Sequence, residues 1–296
     1  MAKLREVKKR IKAVANIARI TKTMQMIATA KFQASVRRAQ NTQPFTRKIA
    51  EIAGELAAAG GDIDHPLLRP PAEKTGRILV LVITSNRGLA GAYNANTLRA
   101  ATVHLRANTD KQIDLEVVGK KGNAFFRFSG RPVSKSHTQF TDKPAYGEVE
   151  KIAAEYIASF EASKYDSVYV VYTQFISNAR QTPRVLQLLP MEPPKAAAGD
   201  KKHAAGTHGY QPVYEFSPDP QTLLSALLPL AVKSQLFQAF NDAVVSEQIA
   251  RMVAMKAATD NAQKMGRSLK RLFNRARQTQ ITTELTEIIG GAAALE

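Results

Sequence analysis

The first sixty residues repeat apolar and polar positions with the period of a helix. The apolar residues fall at Leu4, Val7, Ile11, Val14 and Ala18, and then shift phase to Ile20, Met24, Ile27 and Phe32. Steps of three and four residues are typical of an amphipathic helix whose seam packs against another helix. The pattern resumes after Pro44, a residue that kinks or breaks helices. We therefore predict a long helix over 1–60, interrupted or bent at Pro44.

A second helical pattern occupies the other end of the chain, over 217–296. Ser217 is followed by prolines at positions where a helix can begin, and the apolar seam then continues for tens of residues. Its members are Val245, Ile249, Met252, Met265, Leu269, Leu272, Ala276, Ile281, Leu285 and Ile288. Two long amphipathic helices at opposite ends of one chain bury their seams most simply against each other. The pattern predicts a long antiparallel coiled coil.

The middle of the chain follows a different pattern. Turn-forming residues from Gly60 to Pro71 predict a linker over 61–75. Beyond it, apolar strands at 77–83, 112–118 and 167–173 alternate with helices at 90–107, 119–128 and 146–163. Such alternation is typical of an α/β domain with a parallel sheet.

We place the limits of this α/β domain at 76–216. Within it, residues 190–212 contain prolines, alanines and glycine and predict a mobile loop. A short strand at 213–216 is expected to close the domain.

The charge of the chain is large and uneven. Its 296 residues carry a net charge of +17, and residues 1–48 hold thirteen Lys or Arg against the single acid Glu6. An acidic partner is expected, which leaves nucleic acid, an anionic membrane surface and an acidic protein as alternatives. Residues 1–44 contain one aromatic residue, Phe32, and no RNA-binding signature. A basic nucleic-acid-binding protein with helical arms stays open as the alternative function.

Composition also limits the chemistry. The chain has no cysteine, its five histidines are scattered, and the sequence shows no catalytic constellation. The turn Asn86–Gly91 has two glycines but lacks the third glycine of a dinucleotide site and the lysine of a P-loop, so a tight strand-to-helix turn is favoured over a nucleotide site. We predict no catalytic residue, no cofactor and no metal. No apolar run approaches the ~18 residues of a membrane span, and no signal peptide is expected.

Several stretches resemble a known family. The segments Ser246–Asn261 and Arg275–Ala294 closely resemble the signature of the gamma subunit of F-type ATP synthases. The stretches Ile20–Lys31 and Arg87-Gly-Leu-Ala-Gly-Ala-Tyr-Asn94 are similar to the same family. The resemblance covers nearly the whole chain in order and is weakest at 190–212.

The resemblance implies a fold and a function. The fold is a long antiparallel coiled coil of the N- and C-terminal helices plus a central Rossmann-like parallel-sheet α/β domain. The function is that of a non-catalytic rotor in the central stalk, one copy per complex, which transmits proton- or sodium-driven rotation of the c-ring to the catalytic beta subunits. The implied partners are the alpha and beta subunits, epsilon and the c-ring, with no nucleic acid. The implied location is peripheral, on the cytoplasmic face of a bacterial inner membrane.

The resemblance also assigns contacts to individual residues on the two helices. Met24 matches the methionine at the contact between rotor and beta subunit, and Arg251 matches the arginine associated with it in coupling. Arg277 and Gln278 match a pair that hydrogen-bonds a beta-subunit loop. The alternative for each is an ordinary surface or seam residue of the coiled coil.

Further matches lie before and near the end of the C-terminal helix. Thr282 and Glu284 belong to the same coupling segment as the beta-subunit contacts. Tyr214 and Glu215 match the region that meets the c-ring and epsilon. Family members with thiol regulation carry a cysteine-bearing insertion, and this chain has no cysteine.

Overall fold

The structure is a computed structural model that describes residues 2–59, 65–71, 74–191 and 220–293. In chain order its elements are α1 (Ala2–Ala59), β1 (Arg77–Ile83), α2 (Tyr93–Ala107), β2 (Gln112–Val118), α3 (Lys120–Phe128), β3 (Lys135–His137), α4 (Tyr146–Glu161), β4 (Ser167–Phe175), β5 (Gln181–Leu189) and α5 (Pro220–Ala293). The chain divides into two compact units. We call Met1–Ala30 with Arg251–Glu296 the helix-pair unit, and Lys31–Ala250 the sheet unit.

The sheet unit confirms the α/β class and adds two strands to the predicted set. The sheet has the order β3-β2-β1-β4-β5, with β1 parallel to both β2 and β4. The missed strands β3 and β5 lie at its two edges, and β5 runs antiparallel to β4. The sheet is therefore mixed rather than wholly parallel. Pro183 lies within β5, where an edge strand tolerates a residue without an N–H group.

The central strand β1 explains why its sequence is an unbroken apolar run. Its residues alternate between two clusters, with Ile78, Val80 and Val82 on one face and Leu79, Leu81 and Ile83 on the other. The first face packs with residues of α2 and α3, and the second with residues of α4 and α5. A strand covered on both sides has no polar face, as expected for the middle of a parallel sheet.

Helix α5 contributes a stripe of buried residues to this second cluster. Leu224, Leu228, Val232, Leu236 and Phe240 are all at most 2% exposed. Over Thr222–Gly291 the helix is also long and apolar enough to cross a membrane by length and composition. A buried core helix meets the same criterion, and the buried stripe shows that α5 is such a helix in the sheet unit.

The helix-pair unit confirms the antiparallel coiled coil. The Thr259 hydroxyl donates to the Thr21 hydroxyl at 2.8 Å, and a Cβ placed on Gly266 would lie 3.9 Å from Val14 Cγ1. From the first contact to the second, α1 moves back seven residues while α5 moves forward seven. The two helices therefore run in opposite directions, with contacts one heptad apart.

The predicted seam is right at the start of α1 and wrong further on. Leu4, Val7, Ile11, Val14 and Ala18 are all shielded to some degree, whereas Ile20 and Ile27 are 59% and 52% exposed. The inner positions continue the original heptad through Thr21, Gln25 and Ala28. No phase shift occurs, because two helices packed as a coiled coil keep their heptad register even where the seam residues are small or polar.

The seam of α5 differs from the prediction in the same way. Met265 and Leu272 are 56% and 52% exposed, although they were expected to face α1. Met255, Thr259 and Ala262 are the buried residues instead. Helix α1 also continues through Pro44, which rules out a break there, one of the two predicted effects of this proline. The predicted strand 213–216 and almost all of the predicted loop 190–212 lie outside the described residues.

Candidate functional site

The end of α5 carries four of the residues to which contacts were assigned from the sequence. Arg277, Gln278, Thr282 and Glu284 are all exposed. The Thr282 hydroxyl donates to the Gln278 carbonyl at 3.0 Å, and Glu284 Oε1 accepts from Gln280 Nε2 at 2.8 Å. These bonds stay within one helix. The side chains of Arg277 and Gln278 are therefore available to another molecule.

Exposed apolar side chains continue along the same end of α5. Ile281, Leu285, Ile288 and Ile289 are between 52% and 72% exposed. Every residue from 281 to 291 is exposed in the part of the chain that the structure describes. Large apolar side chains exposed together along one stretch are typical of an interaction surface.

Met24 lies in a second exposed stripe, on α1. Ile17, Ile20 and Ile27 are 51%, 59% and 52% exposed, and Met24 between them is partly buried. Their spacing of three, four and three residues puts all four on one helix face. We call Ile17, Ile20, Met24 and Ile27 the outer stripe. It is distinct from the seam, which runs through Thr21, Gln25 and Ala28.

Arg251 differs from the other assigned residues because it is only 8% exposed. A buried guanidinium is held by contacts within its own chain, and Arg251 takes part in such interactions. Tyr214 and Glu215 lie outside the described residues.

The helix-pair unit is also strongly basic. Residues 1–30 and 251–296 contain sixteen Lys or Arg and five Asp or Glu, which is +11 of the total +17. A shallow groove on α5 is lined by Lys264, Arg267, Ser268, Lys270, Arg271 and Asn274. The Glu6 carboxylate accepts from Arg10 at 2.6 Å, but both side chains are exposed and offset little of this repulsion. The surface fits a partner that is both acidic and apolar.

The other candidate from the sequence is the turn Asn86–Gly91. A cavity of about 270 Å³ lies beside it, at the carboxyl ends of β1 and β2, and Arg87, Lys120, Asp142 and Glu247 are among its lining residues. Ligands of doubly wound sheets bind at this edge. The site therefore has the position of a nucleotide pocket, and its donors decide whether it has the chemistry.

The N–H groups of the helix N-terminus that lines this cavity, at Lys120, are already bonded. At the start of α3, the Lys120 N–H donates to Asn86 Oδ1 at 3.1 Å and the Lys121 N–H donates to the Ser85 carbonyl at 3.1 Å. The Gly122 N–H donates to Thr84 Oγ1 at 2.9 Å. Because a helix N-terminus binds anions through unpaired N–H groups, this one is closed by the β1 turn itself.

Two glycines that the sequence reasoning missed make this closure possible. Gly119 has a φ of 92°, and a Cβ there would lie 2.4 Å from the Thr84 carbonyl oxygen. A Cβ on Gly122 would lie 2.6 Å from Thr84 Oγ1. The available signal was the run Gly119-Lys-Lys-Gly122 directly after the apolar strand β2. Its role is close packing between a strand and the following helix.

A buried polar cluster at the β3 edge was also missed. Glu116 Oε2 accepts from the Tyr156 hydroxyl at 2.7 Å and lies 2.7 Å from His137 Nε2. Burial and the adjacent Glu116 carboxylate raise the pKa of Tyr156 well above its ordinary value. The three side chains bond to one another in the interior, so the cluster is structural. Within the described ranges, no group of three His, Asp or Glu residues could hold a metal ion.

Comparisons with known proteins agree on one family. The family model described as ATP synthase matches residues 3–295. The ATP synthase gamma chain of Rhodopirellula baltica is 42% identical over 300 residues and covers all of both chains. The ATP synthase gamma chain of Heliobacterium modesticaldum is 37% identical over 295 residues, again with full coverage of both.

Solved structures share the fold. A chain of the Euglena gracilis mitochondrial ATP synthase, from a structure of its OSCP/F1/c-ring part, matches with a TM-score of 0.66 and 19% identity, over 99% of this chain and 95% of that one. A chain from the rotor of the same enzyme matches with a TM-score of 0.61 and 17% identity, over 95% and 99%. At this identity the match concerns the fold alone.

Proposed function

The chain belongs to the ATP synthase gamma-chain family, and from that membership we propose that it is the central-stalk rotor of a rotary ATP synthase. In this role it transmits rotation of the membrane c-ring to the catalytic beta subunits. The observation that carries the proposal is the surface of the helix-pair unit. That surface combines a charge of +11 with large apolar side chains exposed along two stretches.

Such a surface suits a shaft that turns inside a ring of subunits. Exposed charges interact weakly because water and salt screen them, so they can favour successive angles without holding any one of them strongly. Exposed apolar side chains gain from being covered, whichever subunit covers them. A rotor angle is favoured only to the extent that the partner subunits bind it more tightly than other angles. Modest contacts that recur at successive angles therefore allow the rotor to keep turning.

The contact residues follow from the same surface. Met24 in the outer stripe is proposed to contact a beta subunit, and Arg251 is proposed to act with it in energy coupling. Arg277 and Gln278 are proposed to bond a beta-subunit loop, with Thr282 and Glu284 in the same coupling segment.

The other end of the rotor is proposed to meet the membrane part of the enzyme. Tyr214 and Glu215 are assigned to the c-ring and epsilon contact. The chain is then peripheral to the membrane, attached through the c-ring on the cytoplasmic face of a bacterial inner membrane. The predicted limits of the linker, 61–75, and of the α/β domain, 76–216, stay proposals too.

We propose that the chain is not itself an enzyme and that ATP is made in the hexamer of alpha and beta subunits. The bonded N–H groups at the start of α3 support this division of labour, because the helix N-terminus beside the cavity already has its first N–H groups paired within the chain. A nucleic-acid partner is not favoured by the names of the relatives. Binding to DNA or RNA that persists at ~0.15 M salt would revive it.

The proposal is tested by purifying the tagged chain from membranes and identifying what accompanies it. We expect alpha, beta and epsilon subunits and the c-ring in fixed proportion. Removing residues 277–296 should then abolish coupled ATP synthesis while leaving the rest of the chain folded, since its last described residues bury no side chain. Full coupling in that truncated form would contradict a shaft role for this end of α5.

A finer test concerns the pair Arg277 and Gln278. Replacing both with alanine should lower coupled ATP synthesis by up to about thirty-fold, as expected for two hydrogen bonds at about 1 kcal/mol each. Thr279→Ala is the matched control, because the Thr279 hydroxyl donates to the Arg275 carbonyl of its own helix. An equal loss of coupled ATP synthesis in both variants would contradict a specific role for Arg277 and Gln278.

A further inference from the structure

Asp142 in the sheet unit connects two helices through a single side chain. It lies in the β3–α4 loop, residues 138–145. Its Oδ2 accepts from the Lys31 ammonium of α1 at 2.5 Å, and its Oδ1 accepts from Gln248 Nε2 of α5 at 2.9 Å. One carboxylate therefore holds both long helices at once.

The backbone of the same residue adds a further bond to α1. The Arg38 guanidinium donates to the Asp142 carbonyl oxygen at 2.8 Å and to Ser35 Oγ at 3.1 Å. Lys31, Ser35 and Arg38 lie four and three residues apart, so they share one face of α1. We call Lys31, Arg38, Asp142 and Gln248 the Asp142 clasp.

The loop is also anchored on its other side. Asn86 Nδ2 donates to the Phe140 carbonyl at 2.6 Å, which links the loop to the β1 turn. The Phe140 ring packs against Phe240 of α5 with centroids 4.7 Å apart. Asp142 is therefore a rigid point of the α/β fold rather than the tip of a free loop.

The chemistry of the clasp differs from that of the packing around it. Helix α5 packs in the sheet unit mainly through apolar residues such as Leu228, Val232 and Leu236. Apolar contact is not directional, so it resists separation of the helices better than it resists their turning or sliding. Hydrogen bonds depend on angle, and those to a carboxylate are among the stronger ones.

We infer that Asp142 is a positioning residue of the rotor, which holds α1 and α5 in one angular register on the sheet unit so that torque reaches both helices together. The inference rests on the rotor role proposed above. Both helices continue from the sheet unit into the helix-pair unit, α1 at residues 30–31 and α5 at 250–251. Lys31 and Gln248 of the clasp lie within three residues of these two boundaries.

The test uses the whole complex in lipid vesicles and compares Asp142→Ala with the natural chain. ATP hydrolysis should stay within about twofold, while ions transported per ATP should fall about tenfold or more against a high opposing gradient, the scale of one charge-assisted hydrogen bond. The torsional stiffness of single rotors should fall as well. Lys143→Ala, at the exposed neighbouring residue, is the control and should behave like the natural chain.

Two milder variants keep the test decisive if Asp142→Ala does not assemble. Asp142→Asn retains an acceptor for Gln248, and Lys31→Ala leaves the loop intact, so each should give a smaller loss of the same kind. Unchanged transport per ATP at every gradient in all assembled variants would overturn the inference, as would lost transport with unchanged stiffness. If the natural chain neither joins the complex nor supports transport, the rotor proposal itself fails, independently of Asp142.

Discussion

The sheet unit and the helix-pair unit use apolar residues in opposite ways. In the sheet unit the large side chains are inside, and Phe126, Leu188 and Leu224 are fully buried. In the helix-pair unit the buried residues are mostly small, such as Ala28 and Ala262, while the large ones are largely exposed. One unit contains its own hydrophobic core, and the other presents apolar surface to a partner.

The difference bears on where the free energy of unfolding resides. Burial of apolar surface stabilises by about 25 cal/mol per Å², so the sheet unit can be stable as a free domain. The helix-pair unit buries little and carries sixteen positive side chains that repel one another. We expect it to be marginally stable in the free chain and to gain stability on assembly.

The largest expected effect is in the core of the sheet unit. Phe126→Ala should lower the free energy of unfolding by about 3–5 kcal/mol, because it removes a fully buried ring from the cluster between α3 and the sheet. Denaturant titration of the free chain measures it. Phe128→Ala is the matched control on the same helix: its ring is 94% exposed, so a change beyond about 0.5 kcal/mol would contradict the contrast.

The second-largest effect is expected in the buried polar cluster around Glu116. Glu116→Ala should cost about 3 kcal/mol, because it leaves His137 and Tyr156 without their shared acceptor in the interior. Glu155→Ala breaks the exposed ion pair with Lys135 and should cost at most about 1 kcal/mol. Similar losses in both variants, measured by denaturant titration, would show that burial does not set the cost.

The pH dependence of the sheet unit supplies a third prediction. Burial raises the pKa of the Asp242 carboxyl to about 6 from the ordinary value of 3.8, although hydrogen bonds from Gln238 and the Phe175 backbone act in the other direction. The native state thus prefers the protonated form. Its contribution to stability is complete below pH 3.8 and is lost as the pH rises through 6.

The variant Asp242→Asn isolates this contribution. The stability of this variant minus that of the natural chain should rise by about 2 kcal/mol from pH 4 to pH 7. This rise is most of the value of a two-unit difference in pKa. Denaturant titrations of both chains at the two pH values give the difference. A stability difference that does not change with pH would show that Asp242 is ionised in the native state throughout.

The smallest expected effect concerns the outer stripe. Ile20→Ser should change the free energy of unfolding of the free chain by no more than about 0.5 kcal/mol, since the side chain is 59% exposed. Val14→Ser, at the seam, should cost about 1–2 kcal/mol. In the assembled enzyme the order should reverse for coupling, with Ile20→Ser the more harmful change. Equal sensitivity of the free chain to both would mean that the outer stripe is packed.

Much of the sheet unit could be predicted from local pattern. The predicted strands at 77–83 and 112–118 coincide with β1 and β2. Short segments rich in apolar and β-branched residues favour a buried strand over other secondary structures. The antiparallel strand β5 was missed, since Gln181–Leu189 mixes polar residues and Pro183 with apolar ones. Only its pairing with β4 makes it a strand, and that pairing is not a local property.

The candidate site divides along the same line. Periodicity, charge and family motifs were enough to locate two long helices, a basic end and the exposed positions Arg277 and Gln278. They could not tell the seam from the outer stripe, because Ile20 and Thr21 each continue a heptad. Contacts with α5 decide which residues of α1 form the seam. Thr259 hydrogen-bonds to Thr21, and Gly266 leaves room for Val14.

Local chemistry thus settled the two long helices, the strands β1 and β2, the charge and the family from the order of residues alone, since helix and strand periods are set by neighbouring positions. Contacts between residues distant in the chain settled the features that depend on how one element packs against another. These are the seam that excludes Ile20, the closure of the α3 N-terminus by Thr84, Ser85 and Asn86, and the grip of Asp142 on two helices. Each joins residues that are distant in the chain, and hydrogen bonds and close packing specify them only once the chain is folded.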